Sequence, residues 1–359
     1  MERLKLHYTP QFDQAAIERD LNSLLVSGPI ADKDIDGRIT RLAESYRIYA
    51  AYYPYGLWAP GLAITREMRI QTETYLPVDD IRWAFDHFFS AALRFHPFIP
   101  ASVVHNSANW LDILHSLRPP VSRPDPSYLL RTLLTDDGLR RCFIFSNFMP
   151  LRYGSGFGRY PRQGEFLRKW LAANRMRLAG ETRCLDVACG SGEGTYDMAL
   201  LLMGSGFGAN SIQIHGVSIE PLELFSAAHA CFPNRPEREA AYRRHVQPLF
   251  ECGASGNICF ALEDISISPP EEEKGYDIIL CNGLLGGPFL HDPVDLAETI
   301  RRLSGRLRAG GIMLAASRFH GGWKKLLSDE ELRKLFGACG LMLQPIAEGV
   351  AGVRMKDEG

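Results

Sequence analysis

The sequence has no C-x-x-C pair among its eight cysteines, Cys142, Cys184, Cys189, Cys231, Cys252, Cys259, Cys281 and Cys339. That excludes the common zinc-binding spacings. Several of these residues lie inside apolar runs, where a thiol behaves as a small hydrophobe, so reduced buried cysteines and no metal are expected. No apolar run approaches the ~18 residues that a membrane-spanning helix needs. The opening stretch, MERLKLHYTPQFDQ, lacks the apolar centre of a signal peptide, so the expectation is a cytoplasmic chain with no membrane partner. An excess of one charge is also missing. Lys and Arg number 40 against 42 Asp and Glu, a formal net charge of −2, which argues against general nucleic-acid binding. There is no internal repeat and no long low-complexity stretch.

What is present suits a globular chain of more than one domain. Of 359 residues, 46% are hydrophobic and 23% charged, enough to bury a sizeable core. The expected division is a mainly helical N-terminal domain over 1–145, a connecting lid and helix over 146–180, and a catalytic domain over 181–359. In the first part, Ala15 to Leu25, Ile39 to Tyr52 and Asn106 to Leu117 carry apolar residues at helical spacing. Ile81 to Phe95 is an apolar and aromatic helix with Asp79-Asp80 before it as an acidic cap, and His96-Pro97 stops it. Tyr128 to Leu134 and Arg141 to Phe145 are short apolar runs that pattern alone assigns to neither helix nor strand. Tyr49, Tyr52, Tyr53, Tyr55, Trp58, Trp83, Phe85, Phe88 and Phe89 pack between helices or line an acceptor pocket.

From about residue 180 the texture changes. Strand-like runs at Arg183–Val187, Ile212–Ile219, Ile258–Leu262, Tyr276–Cys281, Ile312–Ser317, Leu341–Ala347 and Gly352–Met355 alternate with helical stretches. The helices fit Gly194 to Met203, Leu222 to Ala230, Asp295 to Leu307 and Ser328 to Cys339. Such alternation predicts an α/β fold, a Rossmann-like, seven-stranded and mostly parallel sheet with helices on both faces. Glu348-Gly349 signals a C-terminal hairpin, and Leu307-Arg-Ala-Gly-Gly-Ile312 reads as a tight turn leading into a strand.

The most informative segment is Cys184-Leu-Asp-Val-Ala-Cys-Gly-Ser-Gly-Glu-Gly-Thr195. A strand ends at Asp186, and Ala188, Gly190, Gly192, Glu193 and Gly194 form a loop that opens a helix. Dinucleotide enzymes space their glycines as G-x-G-x-x-G, to seat a pyrophosphate on a helix N-terminus. Here they alternate as G-x-G-x-G behind an acidic strand end. That pattern suits S-adenosylmethionine, which has an amino acid, a sulfonium and a nucleoside but no phosphate. Asp186 attracts the ligand's ammonium directly or through water. Glu220, ahead of Pro221, ends the next strand and accepts from the ribose hydroxyls, or else interacts with the dipole of the helix that follows. Asp264, with Ile265 beside it, follows the third strand and meets the adenine, or is a solvated turn acid. Cys281 and Asn282 end the fourth strand, where the methyl-transfer centre is expected.

Together these elements resemble class I S-adenosylmethionine-dependent methyltransferases over roughly residues 180 to 355. A narrower resemblance is to the chemotaxis receptor (CheR-type) methyltransferases, which esterify glutamate side chains. Phe157-Gly-Arg159-Tyr-Pro161 is similar to that family's F-x-R-x-P stretch, which implies that Arg159 contacts the cofactor carboxylate. Gly192-Glu-Gly-Thr-Tyr196-Asp-Met-Ala199 is similar to its G-E-x-x-Y-S-hydrophobic-A run, drawing attention to Glu193 and Tyr196. Ala227-Ala-His-Ala-Cys-Phe-Pro233 and Tyr276-Asp-Ile-Ile-Leu-Cys-Asn282 match further family runs, the second without its arginine. The chain departs where that family inserts a small β subdomain: Asn234 to Gly256 reads instead as a charged helix with Arg235, Arg238, Arg243 and Arg244. The N-terminal half is also longer than the family's.

Methyl transfer to an anionic carboxylate needs no general base, whereas a hydroxyl or thiol benefits from one. His291 and His320 are the loop histidines placed to serve. Arg152-Tyr153 and Gly154–Gly158 form a candidate lid. The partner is an unidentified acceptor, a small molecule or a protein. Two other readings remain open at this level: a non-catalytic binding module on the same fold, and a nicotinamide-dependent oxidoreductase, against which the glycine spacing speaks.

Overall fold

The computed structural model describes residues 5–52, 61–118, 120–121, 123–149, 156–265, 275–316 and 325–355. The chain forms two compact units. One is helical and comprises Phe12–Pro150 with Cys231–Ala241; the other carries the sheet and comprises Met1–Gln11, Leu151–Ala230 and Tyr242–Gly359.

The helical unit holds α1 (Gln14–Leu24), α2 (Lys33–Tyr52), α3 (Arg66–Tyr75), α4 (Val78–Ala92), α5 (Val103–Asn106), α6 (Trp110–Ser116), α7 (Pro126–Thr135) and α8 (Asp137–Phe148). The residues that begin these helices explain their starts. Asp13, Thr65, Asn109, Asp125 and Asp136 each accept a backbone N–H from the first turn that would otherwise go unmet. The two ambiguous runs are therefore helical, each opened by its own aspartate. In α4 the expected cap is different. Pro77 precedes the helix and makes no side-chain cap bond, and Asp79 and Asp80 lie inside the first turn. The helix also ends at Ala92, short of His96-Pro97, because Leu93 turns extended and pairs with Leu25.

Phe85, Phe88 and Phe89 line one face of α4 and are buried against Phe143, Phe148 and Trp110. Tyr49 is buried too, whereas Tyr52 and Trp83 are exposed. Tyr53, Tyr55 and Trp58 lie outside the described residues. Arg140 is buried and donates to the carbonyls of Leu133, Gly28 and Val26 while pairing with Asp137. Those bonds offset the cost of burying a guanidinium.

The sheet unit adds α9 (Pro161–Ala173), α10 (Glu193–Gly204), α11 (Pro221–His229), α12 (Pro236–Glu251), α13 (Pro293–Gly305) and α14 (Asp329–Ala338). The unit boundary falls within α12. Its strands are β1 (His7–Tyr8), β2 (Thr182–Val187), β3 (Ile212–Ser218), β4 (Ile258–Leu262), β5 (Tyr276–Leu280), β6 (Leu307–Ala315), β7 (Leu341–Gln344) and β8 (Val350–Arg354). They form one sheet in the order β1-β4-β3-β2-β5-β6-β8-β7. The five strands from β4 to β6 are mutually parallel, and β8 and β7 close the sheet as an antiparallel hairpin. The α/β fold is as expected, with eight strands rather than seven. The addition is β1, which pairs antiparallel with β4 through His7 and Tyr8.

Alternation along the strands gives the sheet two buried faces. Leu185, Val187, Ile279, Cys281, Met313 and Ala315 share a cluster with Leu296, Ile300 and Leu303 of α13 and Leu332 and Phe336 of α14. Asp186 points to the other face, where Thr195 of α10 meets it. The glycine pair near the start of β6 is not a turn before the strand. Tyr276 pairs with Leu307 and Ile278 with Ile312, so Gly310 and Gly311 sit in a bulge inside β6. A Cβ on Gly311 would lie 2.9 Å from the Arg308 carbonyl oxygen and 3.0 Å from that of Tyr276, so a side chain there would have to displace backbone. Ser317, the last residue of the strand read from sequence, lies outside the described residues.

Candidate functional site

The parallel strands end level with one another. Asp186 is paired with Gly216 on one side and Leu280 on the other, Ser218 with Leu262, and Leu280 with Leu314. The loops after β2, β3, β4, β5 and β6 therefore leave from one edge, the carboxyl edge at which open parallel sheets bind ligands.

The glycine loop is tied down on both sides. The Cys189 N–H donates to Val217 O at 2.9 Å, and the Gly192 N–H to Cys189 O at 3.0 Å. Ala188 is one of two non-glycine residues with positive φ among those described, at 54°, in the tight exit from β2. Gly190 follows at φ 56°, and a Cβ there would meet no atom within 4 Å. Its surface faces open space. Gly192 is different: φ is 87°, and a Cβ would lie 2.8 Å from the Ala227 Cβ and 3.0 Å from Phe260 Cζ. Gly190 thus leaves room for something outside the fold, while Gly192 lets α10 close onto α11.

Asp186 is 4% exposed and accepts from Thr195 Oγ1 at 2.7 Å. Burial pushes its carboxyl up to about 7, the Thr195 hydroxyl pulls the other way, and the charges of Asp197 and Glu193 add to the rise. A carboxyl so placed gains from a cation brought to it. Gly194 lets the α10 backbone approach it, since a Cβ would lie 3.1 Å from Asp186 Oδ2. Glu193 opens α10 and accepts from the Ser191 hydroxyl at 2.9 Å.

Glu220 is also 4% exposed and stands at the N-cap of α11, ahead of Pro221 at the first helical position. Its side chain makes no capping bond to that helix, so helix capping does not account for it. Its backbone is fixed from below, where the Glu220 N–H donates to Ser218 Oγ at 3.1 Å and that hydroxyl donates to Glu223 at 3.0 Å. Beside it Ile219 is 49% exposed, an aliphatic surface at the strand end that sequence reasoning passed over.

After β4 the two acids divide. Glu263 extends the pairing with β3 through its N–H to Ser218 O at 3.1 Å, and its carboxylate is taken by buried Arg306. Asp264 is exposed, so it is the acid presented at the edge. Ile265 is half-buried and packs on the cluster beneath α13.

At the end of β5, Cys281 points into that same cluster and burial raises its thiol pKa, so only its backbone faces the edge. Asn282 is committed to structure. Its Nδ2 donates to Gln163 Oε1 at 2.8 Å, and its Oδ1 accepts from Gln163 Nε2 at 3.1 Å and from the Ala316 N–H at 2.9 Å. Gln163, unremarkable in sequence, thereby ties α9 to the ends of β5 and β6. Glu348 of the hairpin loop accepts the Arg162 N–H at 3.1 Å at the start of the same helix. Arg159 is half-buried, and a Cβ on Gly283 would lie 3.9 Å from its Nη1. The guanidinium therefore lies close to the backbone just after β5.

Tyr196 is a buried strut: its hydroxyl donates to Ala227 O at 2.8 Å, and desolvation holds its pKa well above the ordinary value. Tyr242 of α12, which no sequence motif marked, donates to Ser191 O in the glycine loop at 2.5 Å. His291 is exposed and precedes Asp292, the cap of α13. His320, Arg152, Tyr153 and Gly154 lie outside the described residues. Among the described residues no helix is long and apolar enough to cross a membrane.

No family model and no curated protein matches the sequence. Solved structures do. A methyltransferase from Methanosarcina mazei is 11% identical, with a TM-score of 0.33, over 50% of this chain and 94% of its own. An amino pentose methyltransferase from Micromonospora echinaspora, solved with S-adenosylmethionine bound, is 13% identical, with a TM-score of 0.36, over 54% of this chain and 90% of its own. A magnesium protoporphyrin IX methyltransferase from Synechocystis is 18% identical, with a TM-score of 0.34, over 63% of this chain and 96% of its own.

Proposed function

We propose that the chain is an S-adenosylmethionine-dependent methyltransferase acting on a protein carboxylate or a small molecule. The observation that carries this is the pairing of two acids at one sheet edge. Asp186 and Glu220 are both 4% exposed and stand at the ends of the adjacent strands β2 and β3. Between them runs a loop whose Gly190 leaves its side-chain position open. This donor set fits the cofactor. Asp186 would receive the ammonium, Glu220 the ribose hydroxyls, Ile219 and Asp264 the adenine, and Arg159 the carboxylate. The carboxylate of Asp186 beside the glycine loop would repel the pyrophosphate of a dinucleotide seated there.

When bound, the cofactor supplies a methyl group already activated by its sulfonium. The chain's own part is orientation and exclusion of water. Arg159 and Asp186 would hold the amino-acid end at its two charges, and Glu220 would hold the nucleoside. The Gln163–Asn282 pair keeps the end of β5 rigid. A carboxylate acceptor arrives ionised and gives up no proton. For a hydroxyl acceptor, His291 is the solvent-facing group among the described candidates.

Isothermal titration with S-adenosylmethionine tests the reading. The expected result is micromolar binding by the intact chain, weakened at least tenfold by Asp186→Ala and by Glu220→Ala, with NAD giving no heat. Formation of S-adenosylhomocysteine in the presence of cell extract then distinguishes transfer from binding alone. No detectable binding by the folded chain counts against the proposal.

A further inference from the structure

The segment ahead of α9 has no regular secondary structure from Gly156 to Tyr160, yet it is held at several points. The Gly158 N–H donates to Asp197 Oδ2 at 2.6 Å, and the other oxygen of Asp197 lies 3.3 Å from His245 Nε2. The His245 ring stacks on Phe157 with centroids 3.7 Å apart and planes 23° apart. Phe157 in turn meets Tyr242, at 4.9 Å, which bonds the glycine loop. Asp197 is on α10 and His245 on α12, so side chains from two helices hold one loop. The Asp197 carboxyl is partly buried, which favours its protonated form, and the Gly158 amide and His245 oppose that. The three groups therefore hold one another in place. The next residue along the gripped segment is Arg159.

We infer that Asp197 and His245 are a positioning pair, holding Phe157–Gly158 so that the Arg159 guanidinium is delivered to the end of β5 before the cofactor arrives. The inference rests on the reading of the cleft as an S-adenosylmethionine site. Both residues act through their contacts with Phe157 and Gly158. A long cationic side chain on an irregular loop otherwise loses much of its binding free energy in becoming ordered. The pair removes that cost in advance.

A double-mutant cycle on the full chain tests this, with S-adenosylmethionine titrated calorimetrically and folding checked by circular dichroism. Asp197→Ala is expected to raise Kd about tenfold in the wild-type background. In the Arg159→Ala background the same change is expected to alter Kd less than about twofold, because there is no guanidinium left to position. Asp197→Asn keeps an acceptor for the Gly158 amide and is expected to recover most of the affinity. His245→Phe keeps the stack on Phe157 but loses the bond to Asp197, and replaces Asp197→Ala in the cycle if that variant does not fold. Multiplicative losses in the double variant, or an unchanged Kd in Asp197→Ala, overturn the positioning role while leaving the cleft reading intact. A wild-type chain that binds no S-adenosylmethionine overturns both.

Discussion

A buried carboxyl that takes up its proton near pH 7 is a poor partner for a cation below that pH and a good one above it. Asp186 is such a group, raised to about 7 chiefly by burial. In the folded chain it holds its proton more tightly than in the unfolded chain. Its contribution to stability is therefore greatest at acid pH and declines as pH climbs from the ordinary carboxylate range through 7. Ligand binding runs the other way. Between pH 6 and 7 the cofactor ammonium stays charged while Asp186 ionises, so affinity should rise about fivefold. Titration calorimetry at the two pH values checks this, and Asp186→Asn should flatten the dependence. The glycines separate by the same kind of argument. Gly190→Ala meets no atom within 4 Å but keeps a φ of 56°, so urea unfolding should show a loss of about 1–2 kcal/mol. Gly192→Ala adds a contact at 2.8 Å to the same backbone strain, and its loss should be larger, about 2–4 kcal/mol.

Individual elements show what sequence can and cannot disclose. The central strands were legible because each is a short apolar run bounded by turn residues, and β4 begins and ends where the pattern placed it, at Ile258 and Leu262. Two-residue β1 was not, since alternation over His7 and Tyr8 is no pattern at all. The glycine loop and both acids were readable from their order along the chain. Side-chain commitments were not. Nothing in sequence says that the Asn282 amide is spent on Gln163 or that Glu263 is taken by Arg306. Tyr196 illustrates the difference. The motif flagged it, but its hydroxyl props α10 against α11 through the Ala227 carbonyl. Tyr196→Phe should leave that buried carbonyl short of a donor and cost about 1–2 kcal/mol in urea unfolding. The Kd for S-adenosylmethionine should stay within about twofold.

At the scale of the whole molecule, the chain divides its labour by composition. The sheet unit holds every residue assigned to the cofactor, from Arg159 to Asn282. The helical unit, with its aromatic core on α4, contributes none of them. A crystal structure with S-adenosylhomocysteine is the measurement. The account predicts both ribose hydroxyls within hydrogen-bonding distance of Glu220, the ammonium beside Asp186 and the carboxylate on Arg159. A nucleoside bound elsewhere, or an edge between β2 and β3 closed by the chain's own side chains in the presence of saturating ligand, would contradict it.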